Sequence, residues 1–142
     1  MSGKASKAKG AAGERIVRRT LDRDGWLIPH KQTTGLAGDD LFARDPDGTW
    51  WSIEVKHTKH LMLDFLKQAK AQALARAKQV RTAKPNHPSK VLGIEYDHRN
   101  WMLVWVPSGW GNGKQAIVFQ GQAGGGCQIG FWHDRVNGKV EE

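Results

Sequence analysis

The sequence predicts an α/β protein with a mixed central β-sheet flanked by helices, in the order α-β-β-β-α-β, with extra strands at the C-terminal end. Two stretches carry apolar residues at helical spacing, several short segments between and after them carry strand-like runs, and turn residues separate those segments. Two helices are too few to cover both faces of a doubly wound sheet, so a mixed sheet is expected instead. At 142 residues, 39% of them hydrophobic, the chain is the size of one domain with a real core.

Residues 1–9 hold Lys4, Lys7 and Lys9 among small residues and offer nothing apolar to bury, so they are expected to form a flexible basic arm. Residues 10–142 are expected to form a single domain, with a core over about 10–106 and a Trp- and Gly-rich extension over 107–142. From Gly10 to Asp24, Ala11, Ile16, Val17 and Leu21 mark a helix, and Asp24-Gly25 supplies its stop. Three strands follow, Trp26 to His30, Asp40 to Arg44 and Trp50 to His57, the last two joined as an antiparallel hairpin by Asp45-Pro46-Asp47-Gly48. Leu61 to Ala83 reads as the long helix, with Met62, Phe65, Leu66, Ala69, Ala73, Ala77 and Val80 on one apolar stripe and Lys67, Lys70, Lys78 and Arg81 largely off it. Pro85 and Pro88 end it. Val91 to Tyr96 and Trp101 to Val106 flank Asp97-His98-Arg99-Asn100 as a second hairpin, and Gln115 to Gln120 and Gln128 to His133 read as further strands.

Lys and Arg number 22 against 14 Asp and Glu, a net charge of +8 with a pI near 9.9. A polyanion, foremost nucleic acid, is the partner this charge would attract; the plainer reading is a basic surface that only keeps the chain in solution. One cysteine, Cys127, permits neither an internal disulfide nor a thiolate zinc site. A soluble protein of a reducing compartment, the cytoplasm, is expected, with no membrane partner, since no apolar run reaches spanning length.

The chemistry concentrates around Trp51-Ser52-Ile53-Glu54-Val55-Lys56. Strand alternation sends Trp51, Ile53 and Val55 to one face and Ser52, Glu54 and Lys56 to the other. A charge pair on an exposed sheet face is the plain reading, but the partner strand opens with Asp39 and Asp40 near the same end. On the first helix Glu14 falls between the directions of Ala11, Val17 and Leu21, so it either points toward the packed side or sits in solvent at the helix start. Brought together, Glu14, Asp40 and Glu54 repel unless a cation lies between them. Carboxylate oxygens suit Mg2+, with Mn2+ able to substitute, and such ions accept phosphate oxygens, which favours phosphodiester chemistry. His57 and His60 adjoin Lys56, but this class of ion prefers oxygen and both read as surface or helix-start residues.

Glu14, then Gly38-Asp39-Asp40-Leu41, then Ile53-Glu54-Val55-Lys56 resembles the signature of the PD-(D/E)xK nuclease superfamily, with its restriction-endonuclease-like core. Within it, Lys9-Gly10-Ala11-Ala12-Gly13-Glu14-Arg15 is similar to the first motif of archaeal-type Holliday junction resolvases, which some phages also carry. The likeness covers about residues 9–106. It implies Glu14, Asp40 and Glu54 as metal ligands, Lys56 as catalytic lysine, Arg15 at the DNA, and a homodimer that cuts four-way DNA junctions, in the host cytoplasm if a phage encodes it. Where the family has Pro before the Asp, this chain has Asp39, an alternative ligand; Asp40 is preferred because Leu41-Phe42 follows it.

Lys31, Thr33 and Thr34 lie in the loop before the acidic pair, and Lys59 follows the strand; each could hold a phosphate, or be an ordinary polar residue. Among seven tryptophans, Trp50, Trp51, Trp101 and Trp105 read as core or dimer interface, and Trp110 could stack on an unpaired base. Two other functions fit the same residues: a restriction-like or repair nuclease on duplex, nicked or mismatched DNA, and a non-catalytic nucleic-acid-binding module.

Overall fold

The computed structural model of the protein describes residues 3–29, 39–107, 116–121 and 126–131. Its elements are α1 (Gly3–Arg23), β1 (Leu41–Arg44), β2 (Trp50–Lys56), α2 (Asp64–Thr82), a single helical turn α3 (Pro88–Val91), β3 (Trp101–Trp105), β4 (Ile117–Gly121) and β5 (Cys127–Phe131). The five strands form one sheet in sequential order. β1 and β2 pair antiparallel, β2 and β3 parallel across the α2 crossover, and β4 and β5 continue antiparallel. The architecture is therefore α/β with a mixed five-stranded sheet flanked by helices.

Strand alternation divides the core into two layers. Leu41, Ala43, Ile53, Val55, Met102, Val104 and Val118 pack with Val17 and Leu21 of α1. On the other face Trp101, Leu103, Trp105 and Phe119 pack with Phe65, Ala69 and Ala73 of α2. Phe42 and Trp50 stack at 4.9 Å between ring centroids, and with Val80 and Ile94 they close the core at the β1 edge. The β1–β2 turn forms as expected: Asp45 Oδ1 accepts from the Asp47 and Thr49 amides, both at 2.9 Å, and Gly48 takes a φ of +94° that side chains disfavour. Asp45 Oδ2 also accepts from Trp51 Nε1 at 3.0 Å.

Four expectations are corrected. The helix runs from Gly3 rather than Gly10, so the expected arm is helical from residue 3; its Ala and Lys residues have high helix propensity and need no buried partner to adopt this backbone. α1 ends as read, with Trp26 N donating to Leu21 O at 3.0 Å and Gly25 N to Asp22 O at 3.1 Å, a Schellman closure around Gly25. The strand expected at Trp26 to His30 is reduced, within the described residues, to one bridge between Leu27 and Arg44. Val91 to Tyr96 forms no hairpin with β3, because both edges of β3 are already occupied by β2 and β4; Val91 and Leu92 are exposed and Gly93 turns the chain with a φ of +68°. Met62, placed on the apolar stripe, lies before α2 and is exposed.

α1 meets β2 at Gly13. A Cβ there would stand 2.6 Å from His57 Cβ and 3.5 Å from Val55 Cγ1. Ala at this position gains about 1 kcal/mol of helix propensity, but overpacking against strand side chains costs about 1–3 kcal/mol. Gly13→Ala is therefore expected to lower the urea midpoint; an unchanged or raised midpoint contradicts the close approach.

Candidate acidic site at the end of the first hairpin

The register sets Leu41 opposite Ile53, which brings Asp40, one residue before β1, to the level of Glu54. Glu54 is 7% exposed and lies on the α2 face with Ser52 and Lys56. Asp40 Oδ2 accepts the Val55 amide at 2.7 Å, which turns its carboxylate toward β2. Asp40 thus lies close enough to Glu54 for its hydrogen bonding and charge to raise the Glu54 pKa. Lys56 stands two residues along the same face, half-buried, with its Nζ 5.1 Å from the centre of the Phe65 ring.

Burial is the main reason that Glu54 is pushed from the ordinary 4.5 up to about 8; the hydrogen bond and charge of Asp40 add to it, Lys56 opposes it, and Asp39 adds a little more. The sign of the consequence is fixed by linkage. The folded chain binds this proton more tightly than the unfolded chain, so the stabilisation is full below about 4.5 and is lost as pH rises through about 8. With EDTA present, the melting temperature is expected to fall between pH 6 and pH 9; a flat profile would show that Glu54 is ordinary.

Asp39, the alternative ligand, is not available. Its Oδ1 accepts from Arg76 Nη2 at 2.6 Å, and its Oδ2 accepts from Arg76 Nε at 3.1 Å and Ser52 Oγ at 3.0 Å. Asp39 is 4% exposed and Arg76 2%. Arg76 also donates to Gln79 Oε1 at 2.9 Å and lies 4.5 Å over the Phe42 ring. Sequence reasoning missed this arginine, although it falls on the stripe of Ala69, Ala73 and Val80; an Arg among small residues on a packed helix face was the signal.

Glu14 does not join Asp40 and Glu54. It sits beside Gly13 on α1, across the sheet from the α2 face, and its carboxylate lies 3.6 Å from Arg18 one helical turn on. It is one position away from the packed line of Gly13, Val17 and Leu21, and its side chain remains 28% exposed. Among the described residues, no group of three or more His, Cys, Asp and Glu side chains is arranged to hold a metal ion. The convergence read from the sequence is thus two carboxylates and a lysine, not three carboxylates.

The remaining expected residues fall in several places. Arg15 and Lys59 are exposed. His57 Nδ1 donates to Val106 O at 2.9 Å, a structural tie, and His60 is exposed. Lys31, Thr33, Thr34 and Trp110 lie outside the described residues. Trp50, Trp101 and Trp105 are buried as expected, and Trp51 packs partly buried on the α1 face. A cleft of about 590 Å³ opens at the opposite end of β1 and β2, lined by Arg44, Thr49, Trp50, Tyr96 and Asn100 among others, and holds none of the acidic residues. Comparisons with family models, with curated proteins and with solved structures give no match to this chain. No helix among the described residues is long and apolar enough to cross a membrane.

Proposed function

We propose that this chain is a divalent-cation-dependent endodeoxyribonuclease of the PD-(D/E)xK type, acting on four-way DNA junctions as a homodimer in the cytoplasm. The observation that carries the reading is the Asp40 carboxylate, held by the Val55 amide at the level of a buried Glu54, with Lys56 on the same face of β2. Keeping two carboxylates together at the end of a sheet is costly to the apo fold, and such cost is characteristic of sites whose charge is completed by a ligand. The order of α1, the β1–β2 hairpin, α2 and a parallel β3 is compatible with a restriction-endonuclease-like core.

The donor set fits a hard cation. Asp40 and Glu54 supply carboxylate oxygens, and Mg2+ or Mn2+ characteristically takes one or two of these and leaves its other positions to water and phosphate. Such an ion, when bound, supplies Lewis-acid polarisation of a phosphate oxygen. The chain's own contribution is positional. The Val55 amide fixes the direction of the Asp40 carboxylate, and burial of Glu54 excludes water from its inner side. Lys56, held over the Phe65 ring, keeps an ammonium beside the pair, where it orients an attacking water or offsets charge developing on the phosphate oxygens. Arg15, Lys59, Lys67 and Lys70 are exposed cations within reach of a nucleic-acid backbone, consistent with the charge of +8.

The test is incubation of a synthetic four-way junction and a linear duplex of the same sequence with the protein, in Mg2+ and in EDTA. Symmetrical nicking of the junction in Mg2+ alone supports the proposal. Nicking of both substrates makes the chain a duplex or repair nuclease, and binding without cleavage in any metal makes it a binding module. Junction affinity should also fall steeply between 50 and 200 mM salt, by roughly 10³-fold for six or more phosphate contacts. A flat response would contradict binding through the basic surface.

A further inference from the structure

Asp39 and Asp40 are consecutive residues with opposite surroundings. Asp39 is sealed in the core by three donated hydrogen bonds, two from Arg76 and one from Ser52. Asp40 faces β2, where its Oδ2 accepts the Val55 amide at the level of Glu54. The ladder does not fix Asp40, because β1 starts only at Leu41 and the chain bends at Asp40.

The Arg76–Asp39 pair is more than a space filler. An apolar pair of the same volume commonly fills such a space with equal or greater stability. What an apolar pair does not provide is direction: the guanidinium fork fixes both the place and the rotation of the carboxylate it grips. The fork is itself oriented, by its bond to Gln79 and by the Phe42 ring beneath it. Asp39 is thereby tied to α2 through Arg76 and to β2 through Ser52, one peptide unit ahead of Asp40. Two carboxylates set side by side repel once both are ionised, so they stay together only if the backbones that carry them are held.

We infer that Arg76 is a positioning residue that acts through Asp39 to hold the Asp40 carboxylate against Glu54. It makes α2 part of the site, although α2 contributes no group to the acidic pair. The inference rests on reading Asp40 and Glu54 as the cation-holding pair, and its test separates the two ideas.

Two variants and two readouts are needed. Arg76→Met with Asp39→Leu removes one charge of each sign and leaves an apolar pair, so the fold is retained. Arg76→Lys keeps the charge but loses the fork. The first readout is metal-free: hydrogen exchange at the Val55 amide, which donates to Asp40. The second is Mn2+ affinity. If Arg76 positions Asp40, the double variant melts at or above the wild-type temperature, yet Val55 exchanges about tenfold faster or more while Ile53 is unchanged. Its Mn2+ affinity then falls roughly 10- to 100-fold, as is common when the groups that orient a ligand are lost, with Arg76→Lys between the two. A folded double variant with wild-type Val55 exchange and wild-type Mn2+ affinity overturns the inference. Should the double variant fail to fold, Val55 exchange in Arg76→Lys decides in the same way. Absence of Mn2+ binding by the wild type sinks the cation reading, while Val55 exchange still decides the role of Arg76.

Discussion

Glu54→Gln is expected to lose junction cleavage by about 10²-fold or more, and at the same time to raise the melting temperature of the metal-free protein above pH 8. Both effects have one cause. In the wild type, burial and Asp40 resist ionisation of Glu54, which is held protonated up to about 8. Above that pH the apo fold carries two adjoining anions; the amide of Gln removes one and can donate a hydrogen bond to Asp40. Near pH 5, where Glu54 is already neutral, the two proteins should melt within a degree or two of each other. A carboxylate kept for structure would behave oppositely, because its loss would destabilise at every pH. Cleavage at the wild-type rate, or a melting temperature lowered across the whole range, would remove Glu54 from the site. Lys56→Ala should lose cleavage to a similar degree without this pH signature.

Arg76→Ala is expected to cost about 3–5 kcal/mol of folding stability. The substitution leaves Asp39 charged at 4% exposure, with only Ser52 of its two hydrogen-bonding partners. It also opens a void where the largest fully buried side chain lay, and strips Phe42 of the cation over its ring. For a domain of this size the loss is a large fraction of the whole stability. Urea unfolding measures it directly, and a loss under about 1 kcal/mol would show that the pair is solvated rather than buried. Arg76 and Glu54 thus make a contrast: both are buried, but Arg76 faces a group of opposite charge and Glu54 faces a second carboxylate.

Much of this arrangement was legible because strand alternation is a simple rule. Placing Trp51, Ile53 and Val55 on one face and Ser52, Glu54 and Lys56 on the other follows from a period of two, and the turn at Asp45 to Gly48 fixed which strand would lie opposite. Asp39 and Asp40 were told apart in the sequence only by the Leu41-Phe42 that follows; the difference in their surroundings was not visible, because Arg76 claims Asp39 from a helix far along the chain. Helix faces were harder to read. At Glu14 one position of rotation separates the packed line from a half-exposed edge, and periodicity does not resolve that step. Val91 to Tyr96 looked like a strand because its residues favour one, yet pairing needs a free edge, and β3 has none to give.

The claim that the acidic pair exists to hold a divalent cation can be tested without DNA. Calorimetric titration of Mn2+ into the wild type, Asp40→Asn and Glu54→Gln at pH 8 should show saturable binding to the wild type and a drop of roughly tenfold or more in each variant. Equal affinity in all three proteins, or no binding to the wild type, would contradict it.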